Sequence, residues 1–474
     1  MMIGRTAEKQ KLLKANSSEY SQFVTVYGRR RVGKTFFVRE TFDYKFTFEH
    51  SGLAKTGMKG QLENWHSSMK YHGHNVSRPK TWIEAFNQLK DLILASHKKK
   101  KVIFIDQMPW MDTPRSGFIG ALEGFWNGWA SARKDVTLIV CGSATSWIIN
   151  KLRKNQAGLR GRVTTKIPIL PFTLAECEQY VSRAKLGMQR SQIAECAMVM
   201  GGIPYYWSFL DREKSLAQNI DDLFFNETGE LYGEYDELFS SLFKQPEPYI
   251  KIIELLGSKK VGMTREEIIA GGISDNGKLT DMLKDLEQCG FIREYAAYGY
   301  DSNRAIFQLI DSYTLFYHKF IKENLKKDER FWSHSIGKPV YSSWCGLAFE
   351  RLCLLHVNQI KQALGITGVV SGICSWRVEK NNELPGAQID LILDRDDNVI
   401  DLCEMKFTRE RFLITGEYHE KLLNKRARFL EVAPKSKGVH MILISAQDVV
   451  RNAYIDEFQK IISLDALFAP YITI

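Results

Sequence analysis

A short apolar run, Phe23-Val24-Thr25-Val26-Tyr27, leads without a break into Gly28-Arg29-Arg30-Arg31-Val32-Gly33-Lys34-Thr35, and a helix-forming stretch, Phe36–Glu40, follows. Strand, glycine-bounded loop and helix in that order wrap backbone N–H groups around a phosphate and add the partial positive charge of a helix N-terminus. Gly28 and Gly33 permit the wrap because glycine takes positive φ without a steric penalty. Lys34 is placed to reach the β- and γ-phosphates of ATP, and Thr35 to offer its hydroxyl to Mg²⁺. Arg31, Val32 and Phe36 belong to the same cofactor-binding stretch.

Three further β-rich runs, Phe46–Glu49, Val102–Ile105 and Leu138–Cys141, alternate with amphipathic segments across the first 165 residues. Near-continuous apolar strands separated by helices predict an α/β domain built on a doubly wound parallel sheet. Asp106 ends the second of these runs, where a carboxylate can hold magnesium through water, which makes Thr35 and Asp106 the metal-side residues. Ser143 follows the third run, at the place of a polar sensor facing the γ-phosphate. Gln107 stands where an ATPase of this layout usually carries a glutamate that polarises the attacking water. An amide can orient water but has no charge with which to accept its proton. Two explanations stay open: a naturally slow hydrolase or signalling switch, or a glutamate exchanged for glutamine so that ATP is trapped.

With 474 residues the chain exceeds a single core, and several domains are expected. No run reaches the eighteen or so apolar residues of a membrane span, and the first ten residues have no apolar signal region, so a cytoplasmic location is expected. Eight dispersed cysteines, none in a C-x-x-C pattern, read as buried thiols. The formal charge of +10 permits contact with nucleic acid without establishing it.

Beyond the nucleotide motifs, Ile3-Gly4-Arg5-x-x-Glu8, Gly161-Arg162, Leu170-Pro171-Phe172 and Gly201-Gly202-Ile203-Pro204-Tyr205 resemble the archaeal-type AAA+ ATPases, relatives of the STAND signalling ATPases. The resemblance implies that Gly4 and Arg5 pack near the adenine and that Gly202 and Pro204 touch base or ribose from a helical lid. It also implies that Arg160 or Arg162 reaches a neighbour's γ-phosphate as an arginine finger, within a homo-oligomer for which a hexameric ring is expected. The sequence Asp106-Gln107-Met108-Pro109-Trp110 otherwise keeps that family's pattern, which favours the exchanged-glutamate explanation.

Helical signals fill residues 166–245, as a lid requires. From 246 to 315 three helices and a hairpin read as a winged helix, with Thr264 and Glu267 forming a capping box and residues 275–288 the third helix. Asn276, Lys278, Lys284, Arg293 and Arg304 could touch DNA there, whereas Asp281, Asp285 and Glu287 on the third helix would repel it. A charged helical connector is expected over 322–330.

The last region, 335–474, carries Asp390 in one strand, a turn, and Glu404-x-Lys406 in the next, so that Glu404 and Lys406 share a face. Glu350 lies on an apolar helix upstream. Carboxylates from these three places could hold one Mg²⁺ or Mn²⁺, with Asp390 and Glu404 as ligands and Lys406 orienting water. This pattern resembles the PD-(D/E)XK nuclease fold, a mixed α/β restriction-endonuclease-like domain, and the resemblance implies DNA as a partner and metal-dependent cleavage. The competing reading is a signalling switch whose last domain only binds nucleic acid or protein.

Overall fold

The computed structural model describes residues 2–142, 147, 158–159, 161–243, 245–299, 305–380 and 384–470. Two compact units divide the chain, Met1–Pro171 and Phe172–Ile474.

In the first unit five strands form one parallel sheet: β1 (Gln22–Tyr27), β2 (Phe48–Ser51), β3 (Lys101–Asp106), β4 (Val136–Gly142) and β5 (Thr165–Pro168). Their order across the sheet is β2-β3-β4-β1-β5. The apolar runs are continuous because both faces are covered: every residue of β4 is buried, as are Val102–Asp106 of β3. Phe23, Phe48, Ile103, Ile105, Leu138 and Val140 meet Trp65, Trp82, Phe86 and Phe125 from helices Met58–Tyr71, Trp82–Ala95 and Phe118–Gly128. The lysine run before β3 is structural at two positions: Lys98 Nζ donates to the Phe46 carbonyl (2.9 Å) and Lys100 Nζ to that of Lys134 (2.7 Å).

The second unit opens with helices Leu174–Ala184, Arg190–Met200, Leu216–Phe224 and Glu234–Leu242, the first and third started by capping boxes from Thr173 and Ser215. Helices Glu247–Ser258, Arg265–Ala270 and Gly277–Gln288 follow, with strands β6 (Met263–Thr264), β7 (Ile292–Ala297) and β8 (Ala305–Leu309). Thr264 and Glu267 make the expected reciprocal cap. The connector differs from expectation: helix covers only Lys322–Asn324, because Leu325 turns extended and Lys326 takes φ 62°.

Five more strands, β9 (Ser371–Val378), β10 (Ala387–Arg395), β11 (Val399–Lys406), β12 (Gly438–Ser445) and β13 (Lys460–Ser463), continue the same sheet, in the order β13-β12-β11-β10-β9-β7-β8-β6. The join is the parallel pairing of Ala296 and Ala297 with Cys374 and Ser375. Strand β7 therefore lies between β8 and β9 and offers no free edge. Ile389, Ile392, Ile400 and Leu402 bury one face under Leu422 and Phe429 of helix Gly416–Leu430. Among the described residues no helix is long and apolar enough to cross a membrane.

Two buried histidines, His50 and His356, and the partly buried His318 make this fold sensitive to acid. His356 accepts the Leu174 N–H at Nε2 (3.1 Å) and donates from Nδ1 to the Leu352 carbonyl (2.8 Å), so it has no room for a second proton. Burial pulls His356 and His318 down to about 4 and His50 to about 3. The unfolded chain then binds protons that the native chain refuses, beginning near the ordinary histidine value of about 6.5. Stability should fall as pH drops below that value and keep falling to about pH 4. Melting temperatures at pH 7 and pH 5 test this: the drop should shrink in His356→Gln, and an unchanged drop would contradict it.

Candidate functional site

The phosphate loop is built by a close approach between strands. The Ile169 N–H, just past β5, donates to the Tyr27 carbonyl at 2.8 Å. That contact brings the Ile169 carbonyl so near Gly28 that a β-carbon there would sit 2.1 Å from its oxygen. Gly28 has φ +148°, Arg31 φ 69° and Gly33 φ 87°, so the loop turns repeatedly through conformations that L side chains resist. Helix Lys34–Thr41 starts at Gly33. Lys34 is 5% exposed and donates from Nζ to the carbonyls of Gly28 (3.0 Å) and Arg29 (2.7 Å), which holds its ammonium inside the turn. Val32 is buried beneath the loop, and Phe36 is exposed beside it.

The register of the sheet sets the second half of the site. Strand β4 lies between β1 and β3, with Tyr27 level with Gly142 and Ile105 level with Val140. Asp106 thus ends two strands from the loop, and its Oδ2 accepts the Thr35 hydroxyl at 2.5 Å. Its Oδ1 accepts the Gln107 backbone N–H at 2.7 Å. Gln107 itself adopts φ 49°, ψ 35° before the short helix Met108–Trp110, a strained backbone for a residue with a side chain. These residues suit a nucleotide with Mg²⁺: a tight loop of N–H groups, one buried ammonium, and a hydroxyl paired with a carboxylate. Ser143 and Arg160 lie outside the described residues.

The remaining residues expected on the nucleotide side take their own places. Gly4 and Arg5 both have positive φ, and the buried Arg5 donates from Nη2 to the Leu170 carbonyl at 2.5 Å. Arg162 is exposed in the turn after Leu159, whose carbonyl accepts its N–H at 3.1 Å. In the second unit a β-carbon on Gly202 would meet the Phe172 carbonyl oxygen at 2.0 Å, and Pro204 opens the turn Pro204–Trp207 with Tyr205 exposed.

A charged cluster occupies the middle of the eight-stranded sheet. A bulge between Ile389 and Ile392 interrupts the pairing of β10 with β9 at Asp390. Such irregularities re-aim side chains. Gln388 Nε2 donates to Asp390 Oδ1 at 2.6 Å. Glu404 accepts the Tyr418 hydroxyl at Oε1 (2.6 Å) and Lys425 Nζ at Oε2 (2.7 Å), with Lys406 Nζ 3.2 Å from Oε1. Burial would raise the Glu404 carboxyl, but Lys425 and Lys406 outweigh it and hold the group at about 2. Glu350, on helix Pro339–Leu355, pairs through Oε1 with Lys260 Nζ at 2.9 Å. Burial, then the charge of Asp390, pushes Glu350 up to about 7. Its neighbour Arg351 is 2% exposed and donates from Nη2 to the Lys260 carbonyl.

Three residues of this cluster escaped sequence reasoning: Tyr418, Lys425 and Lys260. The first two sit seven positions apart on one helix, two turns along one face, a spacing visible only once the helix is known to cover β11. Two residues expected at a DNA surface are occupied otherwise. Arg293 donates from Nε to Gln308 Oε1 (2.7 Å) and lies 4.3 Å over the Tyr295 ring, and the Asn276 side chain caps the third helix on the Leu279 N–H. Arg304 lies outside the described residues. Among the described residues, no three His, Cys, Asp or Glu side chains are arranged to hold a metal ion. The expected convergence of Glu350, Asp390 and Glu404 on one ion is therefore not present: lysines take both oxygens of Glu404 and Oε1 of Glu350, and Gln388 takes Oδ1 of Asp390.

No protein-family model matches the chain. The "Uncharacterized protein MJECL04" of Methanocaldococcus jannaschii is 23% identical over 378 residues, 76% of this chain and 79% of that protein. Among solved structures, the Walker-type ATPase PABY2304 of Pyrococcus abyssi is similar over 67% of this chain and 96% of its own, with a TM-score of 0.50 and 16% identity. The ORC2 protein of Aeropyrum pernix in its ADPNP–ADP complexes covers 66% of this chain and 92% of its own, with a TM-score of 0.41 and 12% identity. The likeness to the Pyrococcus protein is one of fold: this chain shares the α/β architecture of a Walker-type P-loop ATPase.

Gly28→Ala tests the loop's construction. A methyl group cannot enter against the Ile169 carbonyl without moving β5 or the loop, and strain plus overpacking of this kind costs about 3 kcal/mol. The variant should melt earlier and bind ATP more weakly. A melting temperature equal to the parent's would show that the approach is not tight.

Proposed function

We propose that the chain is an ATP-binding, slowly hydrolysing switch of the AAA+ kind whose nucleotide state governs a nuclease-like C-terminal region that contacts DNA. The observation that carries the first half is the Thr35–Asp106 pair beside the buried Lys34 in a glycine-bounded loop. In this reading Lys34 and the loop N–H groups hold the phosphates, Thr35 and Asp106 hold Mg²⁺, and Ser143 senses the γ-phosphate. Gly4, Arg5, Gly202 and Pro204 are the proposed base and ribose contacts. Arg162, exposed in its turn, is proposed to act on a neighbouring subunit in a ring, with a hexamer as the expected size. Gln107 supplies no base, so turnover is slow by construction.

The strand-and-helix order around Glu350, Asp390, Glu404 and Lys406 supports a nuclease-like fold. Residues 246–315 have the element order of a winged helix. The net charge of +10 and the exposed Lys278 and Lys284 favour an anionic polymer as partner. A second reading has a specific observation behind it: the lysine-paired carboxylates favour a region that binds nucleic acid or protein without cleaving it.

Restoring a carboxylate tests the switch. Gln107→Glu should raise ATP turnover by about tenfold or more, since a general base contributes roughly 10²–10⁴ in rate. Equal rates for both forms, measured as phosphate release, would place the base elsewhere. For the C-terminal region, duplex and single-stranded DNA should bind with an affinity that falls steeply with salt and differs between ATP and ADP. Binding that is absent at low salt would remove DNA as the partner.

A further inference from the structure

We propose that Lys425 is the resident cation of the C-terminal carboxylate cluster, so that a divalent ion enters only by displacing it. The inference rests on reading Glu350, Asp390, Glu404 and Lys406 as a nuclease-like set, and it departs from the metal that such a set implies.

Glu404 is the residue around which the cluster is organised, and it has no oxygen left to give. Tyr418 donates to Oε1 at 2.6 Å, Lys406 approaches the same oxygen at 3.2 Å, and Lys425 takes Oε2 at 2.7 Å. Of the three acids Lys425 bonds Glu404 alone, while the charges of Asp390 and Glu350 add to the hold on its ammonium. The Lys425 side chain is a quarter exposed and Glu404's a tenth, so the pair, which bridges helix Gly416–Leu430 and β11, has little water to screen it. A second lysine, Lys260, neutralises Glu350 at 2.9 Å. It comes from the loop before β6, in the segment that shares its sheet with the C-terminal strands. Divalent ions need several oxygens directed at one point. Here each candidate oxygen of Glu404 and one of Glu350 is directed at a side-chain donor instead.

Tyr418 and Lys425 also stand on one helix, two turns apart, so a single displacement of that helix would remove both of their hydrogen bonds to Glu404 together and leave Lys406 beside Oε1. Lys406 lies 4.5 Å over the Tyr418 ring, and its own position depends on the same helix. In this account Lys425 is a positioning residue. It holds Glu404 aimed in the absence of metal, and only its departure frees Oε2 for a divalent ion.

Mn²⁺ binding to the full-length chain, without nucleotide and in an Asp106→Asn background that silences the P-loop site, reads this directly. The parent should bind Mn²⁺ weakly, at millimolar concentration. Lys425→Met should tighten binding tenfold or more, Lys425→Arg should stay with the parent, and Lys425→Met/Glu404→Gln should lose the gain. If Lys425→Met does not fold, Lys425→Gln carries the same comparison. Equal Mn²⁺ affinity in the parent and the neutral variant, whether tight or weak, overturns the proposal. So does a gain that survives the loss of the Glu404 charge. DNA cleavage is a separate readout: a Mn²⁺ gain without cleavage in any nucleotide state would defeat the nuclease reading and leave the role of Lys425 standing.

Discussion

The contact between Gly28 and the Ile169 carbonyl is the constraint on which the first unit's site depends. Strand β1 runs between β4 and β5, and the chain can leave its end only by turning sharply over the strand that follows. Any side chain at position 28 would hold β5 away, and the phosphate loop would open. With glycine there the loop closes, Lys34 is drawn inside, and helix Lys34–Thr41 begins at the point where Thr35 can meet Asp106. Each later feature follows from that turn. The register of β4 sets the distance from the loop to Asp106, and Asp106 in turn orders Gln107 through its backbone N–H.

The second unit is governed by a different problem, the burial of like charges. Glu350, Asp390 and Glu404 come from a helix and two strands that pack for apolar reasons: Leu391 and Cys403 are fully buried opposite one another. Carboxylates brought together in this way must protonate, bind a cation or pair with basic side chains. The chain uses the last solution for Glu404 with Lys425 and for Glu350 with Lys260, although burial still pushes Glu350 up to about 7. Arg351, buried beside them, and Lys260 are contributed from outside the strands. The balance of charge is therefore spread over elements far apart in sequence, and it ties the segment around β6–β8 to the C-terminal strands.

How much could be read beforehand follows from how local each signal is. The strand, loop and helix of residues 22–41 are encoded within twenty positions, as is the reciprocal cap of Thr264 and Glu267, and the structure has both. The parallel α/β sheet was legible because its strands are buried on both faces and read as unbroken apolar runs. The charged segment 322–330 misled, because helix propensity says nothing about the left-handed turn at Lys326. Asn276 and Arg293 misled in another way: polar side chains expected at a partner's surface are taken up by a helix cap and by Gln308. Lys425, Tyr418 and Lys260 carry no local mark. Their role appears only when a helix from residue 416 and a loop from residue 260 come to lie on strands near 390 and 404.

Lys34 is the residue around which the proposed nucleotide site of the first unit is organised. An equilibrium titration of a fluorescent ATP analogue with Mg²⁺, on the full chain and on Lys34→Ala, tests it most directly. Removing the buried cation should cost about 3 kcal/mol, the range of a charged hydrogen-bonding partner, which corresponds to about a hundredfold in affinity. One site per chain is expected, weakened by that factor or lost in the variant. An affinity unchanged within about threefold would contradict it.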